Sequence, residues 1–244
     1  MLGSATGTEV GNADGRNLGS AIDFDTTVVG GREFVVVTEA REFNAAGAPP
    51  ILPALQAGSV SVYELNRNGS LTPTVDDFAI GDPTASPFDQ ASQLTTCWID
   101  FGRDGRTFYV SNAINATISS FRLGRDGSLE LLEEVAGSGV SGFSTGGTTG
   151  PEVFGTTDGF IDLDVSDDGR NLYQLEGLSG QISVFRVGND GSLELIQEVD
   201  GLPEIDTQGL ISVSNRRVAQ QIAFIKFLKL LWAKLFFFFA NFIY

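Results

Sequence analysis

The sequence predicts an all-β chain of repeated four-stranded units, and three observations predict it. The first is composition: 30 glycines and 8 prolines among 244 residues, with many Val, Thr, Ser and Phe, suit short strands joined by tight turns. The second is a hairpin met three times, an Ile/Val-Ser-x-Tyr/Phe strand running into an Asn/Asp-Gly-Ser-Leu turn whose Gly-Ser-Leu steps begin at Gly69, Gly127 and Gly191. The third is an upstream strand, Asp104-Gly-Arg-Thr-Phe-Tyr-Val and Asp168-Gly-Arg-Asn-Leu-Tyr-Gln, whose copies lie 64 residues apart, as the last two hairpins do.

In chain order, residues 1–20 are rich in Gly, Ser, Thr and Asn with no apolar segment, which predicts a disordered lead and not a secretory signal. Gly31-Arg-Glu-Phe-Val-Val-Val reads as an earlier copy of the Asp-Gly-Arg strand. Ser59 to Thr74, Thr117 to Glu133 and Gln181 to Gln197 are the hairpins, in which apolar residues alternate on either side of the turn. Asn68-Gly69, Asp126-Gly127 and Asp190-Gly191 supply the positive-φ positions of tight hairpins.

The full unit is an inner strand, an Asp-Gly-Arg turn, a second strand, a loop, the Ser-containing strand, the Gly-Ser-Leu turn and an outer strand. Four antiparallel strands per period describe a β-propeller blade. The copies give a partial first blade over residues 21–74, a second near 95–134 and a third near 159–199, within a partial propeller domain of residues 21–214. The Gly-His and Trp-Asp marks of WD40 repeats are missing. Three blades do not close a ring, so the chain is expected to be a fragment of a longer protein or to self-associate through its open blade edges.

Residues 215–244 differ in kind. The first 214 residues carry 10 arginines, no lysine and all 31 acidic residues, a net −21, whereas the tail carries five basic residues and no acid. Residues 222–244 are long and apolar enough for a membrane-spanning helix, but Lys226, Lys229 and Lys234 oppose insertion. On a helical wheel those lysines share one arc, which also suits a helix lying on a membrane surface. The A/T-rich codons implied by Phe, Lys, Ile, Asn and Tyr fit an extension read out of frame. All three readings stand, and a helical conformation is expected for the tail. Location in the cytoplasm is the default expectation, and membrane association follows if the tail is an anchor.

The net charge of −16 disfavours nucleic acid as a partner. With no histidine and only Cys97, the chain has no Ser-His-Asp or Cys-His triad, no histidine-ligated metal and no intrachain disulfide. An acid or base must therefore be a carboxylate, a tyrosine, a shifted lysine or a water.

Phe34-Val-Val-Val-Thr-Glu-Ala, Thr96-Cys-Trp-Ile-Asp, the two Asp-Gly-Arg strands with Ser111-Asn112 and the two Ile-Ser-x-Phe-Arg hairpins together resemble the lactonase-type seven-bladed β-propeller family. That family includes 6-phosphogluconolactonase and carboxymuconate-cyclizing enzymes, and the resemblance implies its C-terminal blades over about residues 22–210. No histidine is present for the acid-base role of the cyclizing members.

In a propeller, the loop before the inner strand and the loop after the second strand share the face around the channel. There the sequence places Glu39 and Arg41, then Gln93, Thr96 and Asn112, then Asp158, Asp162 and Glu176. The resemblance implies lactone hydrolysis, with Glu39, Arg41 and Glu176 as catalytic candidates and Gln93, Thr96, Asn112 and Asp162 as substrate-binding ones. A carboxylate would activate water and an arginine would clamp an anionic substrate. The other reading is a non-catalytic propeller that binds a small molecule on its channel face. Asp100, Asp162 and Asp164 are oxygen-rich, but alternation along Ile-Asp-Leu-Asp-Val explains them as strand residues, and no metal or cofactor is expected. Residues 137–150 read as a surface loop, and Cys97 as a buried, inert thiol.

Overall fold

The structure, a computed structural model, describes residues 19–41, 58–81, 93, 95–113, 116–138, 160–177, 179–203 and 209–213. Among the described residues, alternating Val, Phe, Ile and Thr between Gly-containing turns form twelve strands in three sheets. Blade 1 is β1 (Gly19–Val29), β2 (Arg32–Arg41), β3 (Ser59–Leu65) and β4 (Leu71–Ala79). Blade 2 is β5 (Thr96–Phe101), β6 (Thr107–Asn112), β7 (Thr117–Leu123) and β8 (Leu129–Ser138). Blade 3 is β9 (Phe160–Val165), β10 (Asn171–Glu176), β11 (Gln181–Val187) and β12 (Leu193–Val199). Each sheet is antiparallel in chain order, so the four-stranded blade is present three times.

Three sequence expectations change in detail. The first blade is not partial, because Leu71–Ala79 runs past Thr74 to complete a fourth strand. Gly137 and Ser138 belong to β8 and not to a loop. The Asx-Gly turns place only the glycine in the left-handed region, at φ +83, +84 and +91 for Gly69, Gly127 and Gly191. Each is a β-turn closed by a left-handed glycine, with Gly69 N–H donating to the Asn66 carbonyl. The lead at residues 1–18 and the tail from residue 214 lie outside the described residues. Among the described residues, no helix is long and apolar enough to cross a membrane.

The repeated Asx and Ser have a shared task. Asn68 Oδ1 accepts the Ser70 N–H at 3.0 Å and its hydroxyl at 2.7 Å. Asp126 receives the same pair from Ser128, and Asp190 from Ser192. These bonds hold both carboxyls below the usual range. Asp104 similarly accepts from Arg106 N–H, Thr107 N–H and the Thr107 hydroxyl, which ties the Asp-Gly-Arg turn.

Blades pack face to face. The trailing face of blade 1, with Phe34, Val36, Val60 and Val62, meets Ile99, Phe108, Val110, Phe121 and Leu123 on the leading face of blade 2. Tyr109 and Ile118 on the trailing face of blade 2 meet Phe160, Leu163, Val165, Leu172 and Phe185 of blade 3. Cys97 is buried, as expected of a structural thiol.

The inner strands are also joined by carboxylates. Asp23 accepts the Ile99 N–H at 3.3 Å, and Asp25 accepts the Phe101 N–H. Asp100 accepts the Val165 N–H at 2.6 Å, bridging β5 to β9. Asp162 and Asp164 then accept the amides of Leu210 and Ser212, at 2.6 and 2.8 Å. Thus Gly209–Val213 lies beside β9 in the place of a next inner strand.

Close approach constrains Gly58, just before β3. Its N–H donates to the Gln93 carbonyl at 2.7 Å, and a Cβ there would lie 2.1 Å from Thr96 Oγ1 and 2.8 Å from the Thr96 nitrogen. The clash is with both the side chain and the backbone nitrogen of the buried Thr96, so Gly58→Ala is expected to lower unfolding free energy by about 1–3 kcal/mol. A urea midpoint equal to that of the unmutated chain would refute this.

Candidate functional site

The ends of the second strands gather the candidate residues. Glu39, Asn112 and Glu176 occupy one structural place in successive blades, paired across the sheet with Ser59, Thr117 and Gln181. The motif serine two residues further along the third strand holds each of them. Glu39 accepts the hydroxyls of Ser59 at 2.7 Å and Ser61 at 2.9 Å. Asn112 donates to Ser119 Oγ at 2.8 Å, and Glu176 accepts the Ser183 hydroxyl. The serine of Ile/Val-Ser-x-Tyr/Phe therefore ties the third strand to a polar end of the second.

This equivalence was hidden by a one-residue slip. Sequence matching sets Phe34 against Phe108, but Val35 pairs with Tyr63 as Phe108 pairs with Phe121. The cause is turn length: Val29 pairs with Arg32 across Gly30-Gly31, whereas Phe101 pairs with Phe108 across a longer turn. A slip of one residue exchanges the faces of a strand.

Gln93, Thr96 and Asn112, read from the sequence as substrate-binding residues, lie together and are occupied with one another. The Thr96 hydroxyl donates to Asn112 Oδ1 at 2.8 Å, Asn112 Nδ2 reaches Thr117 Oγ1 at 3.2 Å, and the Thr117 hydroxyl donates to Gln93 Oε1. Gln93 Nε2 continues to Glu134 at 3.3 Å, and Ser119 donates to the Glu134 carbonyl at 2.6 Å. Gln93, Thr96 and Asn112 are each at most 2% exposed. Gly58 connects this network to Ser59 and so to Glu39. The sequence reading missed Thr117, Ser119 and Glu134; the motif serine was the one visible signal.

The remaining candidates are placed differently. Arg41 ends β2, with its backbone opposite Gly19. Glu176 is 1% exposed and is held within blade 3 by Ser183 and Ser179. The carboxylate of Asp162 is committed to the Leu163 and Leu210 amides. Asp158 lies outside the described residues. Among the described residues, no group of three or more His, Cys, Asp or Glu is placed to hold a metal ion.

Electrostatics single out the inner-strand carboxylates. Burial pushes Asp100 up to about 7, with Asp164 and Asp25 adding repulsion against the Val165 and Phe101 amide bonds. Burial also raises Asp25 and Asp162. A raised folded value means that folding takes up a proton between about pH 4 and 7. The Asp100 contribution is therefore fully present below the unfolded value of 3.8 and is lost as pH rises through about 7. The swing is on the order of 4 kcal/mol. Asp100→Asn is expected to flatten that part of the melting-temperature profile from pH 4 to 8, and an unchanged profile would count against it.

A cavity of about 440 Å³ lies at the opposite end of blade 3, lined by Ser166, Asp168, Asn171, Tyr173 and Leu210–Val213, and includes none of the candidates.

Comparison with known proteins locates the match in blades 2 and 3: residues 98–205 match the family described as "Lactonase, 7-bladed beta-propeller". The expected resemblance to the lactonase-type propeller family is borne out there. No curated protein matches the chain. Among solved structures, a protein from Lactobacillus plantarum is 18% identical over 75% of this chain and 42% of its own, with a TM-score of 0.49. A functionally unknown protein from Desulfotomaculum acetoxidans is 19% identical over 76% and 44%, with a TM-score of 0.47. A periplasmic gluconolactonase from Pseudomonas aeruginosa is 17% identical over 75% and 60%, with a TM-score of 0.36. The chain spans less than half the length of the first two.

Proposed function

We propose that this chain, whose residues 98–205 carry the pattern of the lactonase-type seven-bladed β-propeller family, supplies blades of a hydrolase that opens a sugar-derived or related lactone. The observation that carries this reading is Glu39. Of the three equivalent strand ends, Asn112 and Glu176 are fully buried, whereas Glu39 is half-buried and retains acceptor capacity beyond its two serine bonds.

Glu39 takes a proton from water as the water oxygen bonds to the lactone carbonyl carbon. The tetrahedral adduct collapses by cleavage of the ring C–O bond, and the proton passes to the departing ring oxygen, giving the open hydroxy acid. Arg41, two residues along the same strand, is assigned the anionic group of the substrate. The test is lactone opening by the chain and by Glu39→Gln and Arg41→Ala; equal rates for all three overturn the mechanism.

A second reading, a binding platform without catalysis, is favoured by the closed Gln93–Thr96–Asn112 network. It predicts calorimetric binding of a sugar-acid lactone with no ring opening.

A further inference from the structure

The turn of the first hairpin differs chemically from its two copies. It reads Asn68-Gly69-Ser70-Leu71, whereas the others begin on Asp126 and Asp190, and Asn68-Gly69 is the one Asn-Gly step in the sequence. An asparagine followed by glycine can react with its own backbone, because glycine has no side chain to screen its nitrogen from the neighbouring side-chain carbonyl carbon. At Asp126 and Asp190 the same attack is closed off. Their carboxyls are held below the usual range, and an ionised carboxylate is a poor electrophile with no neutral leaving group. The amide of Asn68 is neutral and carries one.

Asn68 is exposed, and so are Asp126 and Asp190, although Gly127 and Gly191 are buried against the preceding blade. Exposure of this side chain therefore belongs to the turn and does not depend on what stands in front of the blade. The other described asparagines are followed by residues with side chains, namely Arg67, Ala113, Leu172 and Asp190.

Both reacting groups are tied into the turn. The Gly69 N–H donates to the Asn66 carbonyl at 2.8 Å, and Asn68 Oδ1 accepts the Ser70 N–H at 3.0 Å and its hydroxyl at 2.7 Å. Asn66 braces Ser70 from the other side, its Nδ2 donating to the Ser70 carbonyl and hydroxyl, each at 3.1 Å, and to Thr72 Oγ1 at 2.8 Å. Attack on Cγ requires Gly69 to give up its proton and Asn68 to leave Ser70, so these bonds hold the reaction back.

We propose that Asn68 is a site of self-deamidation gated by its own Asx cap, and that the aspartate product restores the turn the other two blades carry. The Gly69 nitrogen loses its proton to solvent and bonds to Asn68 Cγ; the Cγ–Nδ2 bond breaks and ammonia departs, leaving a cyclic imide. Water then opens either imide carbonyl. Cleavage at Cγ gives aspartate, which accepts from Ser70 as Asp126 does from Ser128 and Asp190 from Ser192. Cleavage at the backbone carbonyl gives isoaspartate, which lengthens the main chain by a methylene and disrupts the bond from Asn66 N–H to the Ser70 carbonyl, 2.9 Å in the intact turn. The net reaction consumes a water, releases an ammonia and needs no other reactant.

The test follows acid formation in the full chain in mildly alkaline buffer, by ion exchange and peptide mapping. The native chain is expected to form acid at Asn68 before any other asparagine, and more slowly than the same chain in urea. Ser70→Ala, at an exposed position, is expected to react about 2- to 10-fold faster, the effect of one lost hydrogen bond on the barrier. Asn68→Asp is expected to melt with the unmutated chain, and the isoaspartate form below it. The proposal is overturned by acid that appears first at another asparagine, or by none at Asn68 in the native chain once the chain in urea has converted. It is equally overturned by a native rate that matches the rate in urea, by a Ser70→Ala rate equal to that of the unmutated chain, or by Asn68→Asp melting as low as the isoaspartate form.

Discussion

Phe121→Ala is expected to lower the unfolding free energy by about 3–5 kcal/mol, the range for truncating a fully buried phenylalanine. Phe121 is 0% exposed, stacked on Phe108 with centroids 5.2 Å apart and planes 11° apart, and it meets Phe78 of blade 1 edge-on at 5.9 Å. It is thus both a cross-strand pair within blade 2 and part of the contact between two blades. Neighbouring rings belong to strands fixed by their ladders, so the space left by the ring cannot be filled by collapse. Against a total stability of about 5–15 kcal/mol for a domain, the loss is large. The urea midpoint is the measurement, with Phe121→Leu expected to recover part of the loss; an unchanged midpoint for the alanine variant would contradict this account of the core.

Glu39→Gln is expected to reduce lactone opening by about 10²–10⁴-fold, the usual contribution of a positioned general base. The substitution preserves the fold while removing the proton acceptor. A glutamine keeps one acceptor oxygen for a serine hydroxyl, and the other hydroxyl can turn to accept from its amide. Unchanged melting beside a lost rate therefore separates chemistry from structure. Glu176→Gln provides contrast, because Glu176 is buried and held by Ser183 and Ser179, so it is expected to act on stability and not on the chemical step. If the two variants affect the rate equally, Glu39 has no special role.

The hairpin was legible because its information is local. Glycine at a left-handed position and an Asx side chain bonded to Ser70, Ser128 or Ser192 involve residues within a few positions of one another. The carboxylates of the inner strands were harder to interpret. Asp100, Asp162 and Asp164 look like oxygen donors in a sequence, and their partners, Val165, Leu210 and Ser212, lie 48 or 65 residues away. The candidate site fell between these cases. Strand ends could be placed near the channel, but whether a polar residue there stays open or closes onto a serine depends on register.

The sequence by itself determined the repeated Ser-containing hairpin, the four-stranded unit and the exclusion of histidine chemistry, because backbone preference and residue inventory require no distant partner. Tertiary structure alone decided that blade 1 is complete, that Glu39, Asn112 and Glu176 are equivalent, and that the acidic inner strands tie blade to blade. Those outcomes depend on turn length and on the face each strand turns to its neighbour, where a shift of one residue exchanges inside for outside.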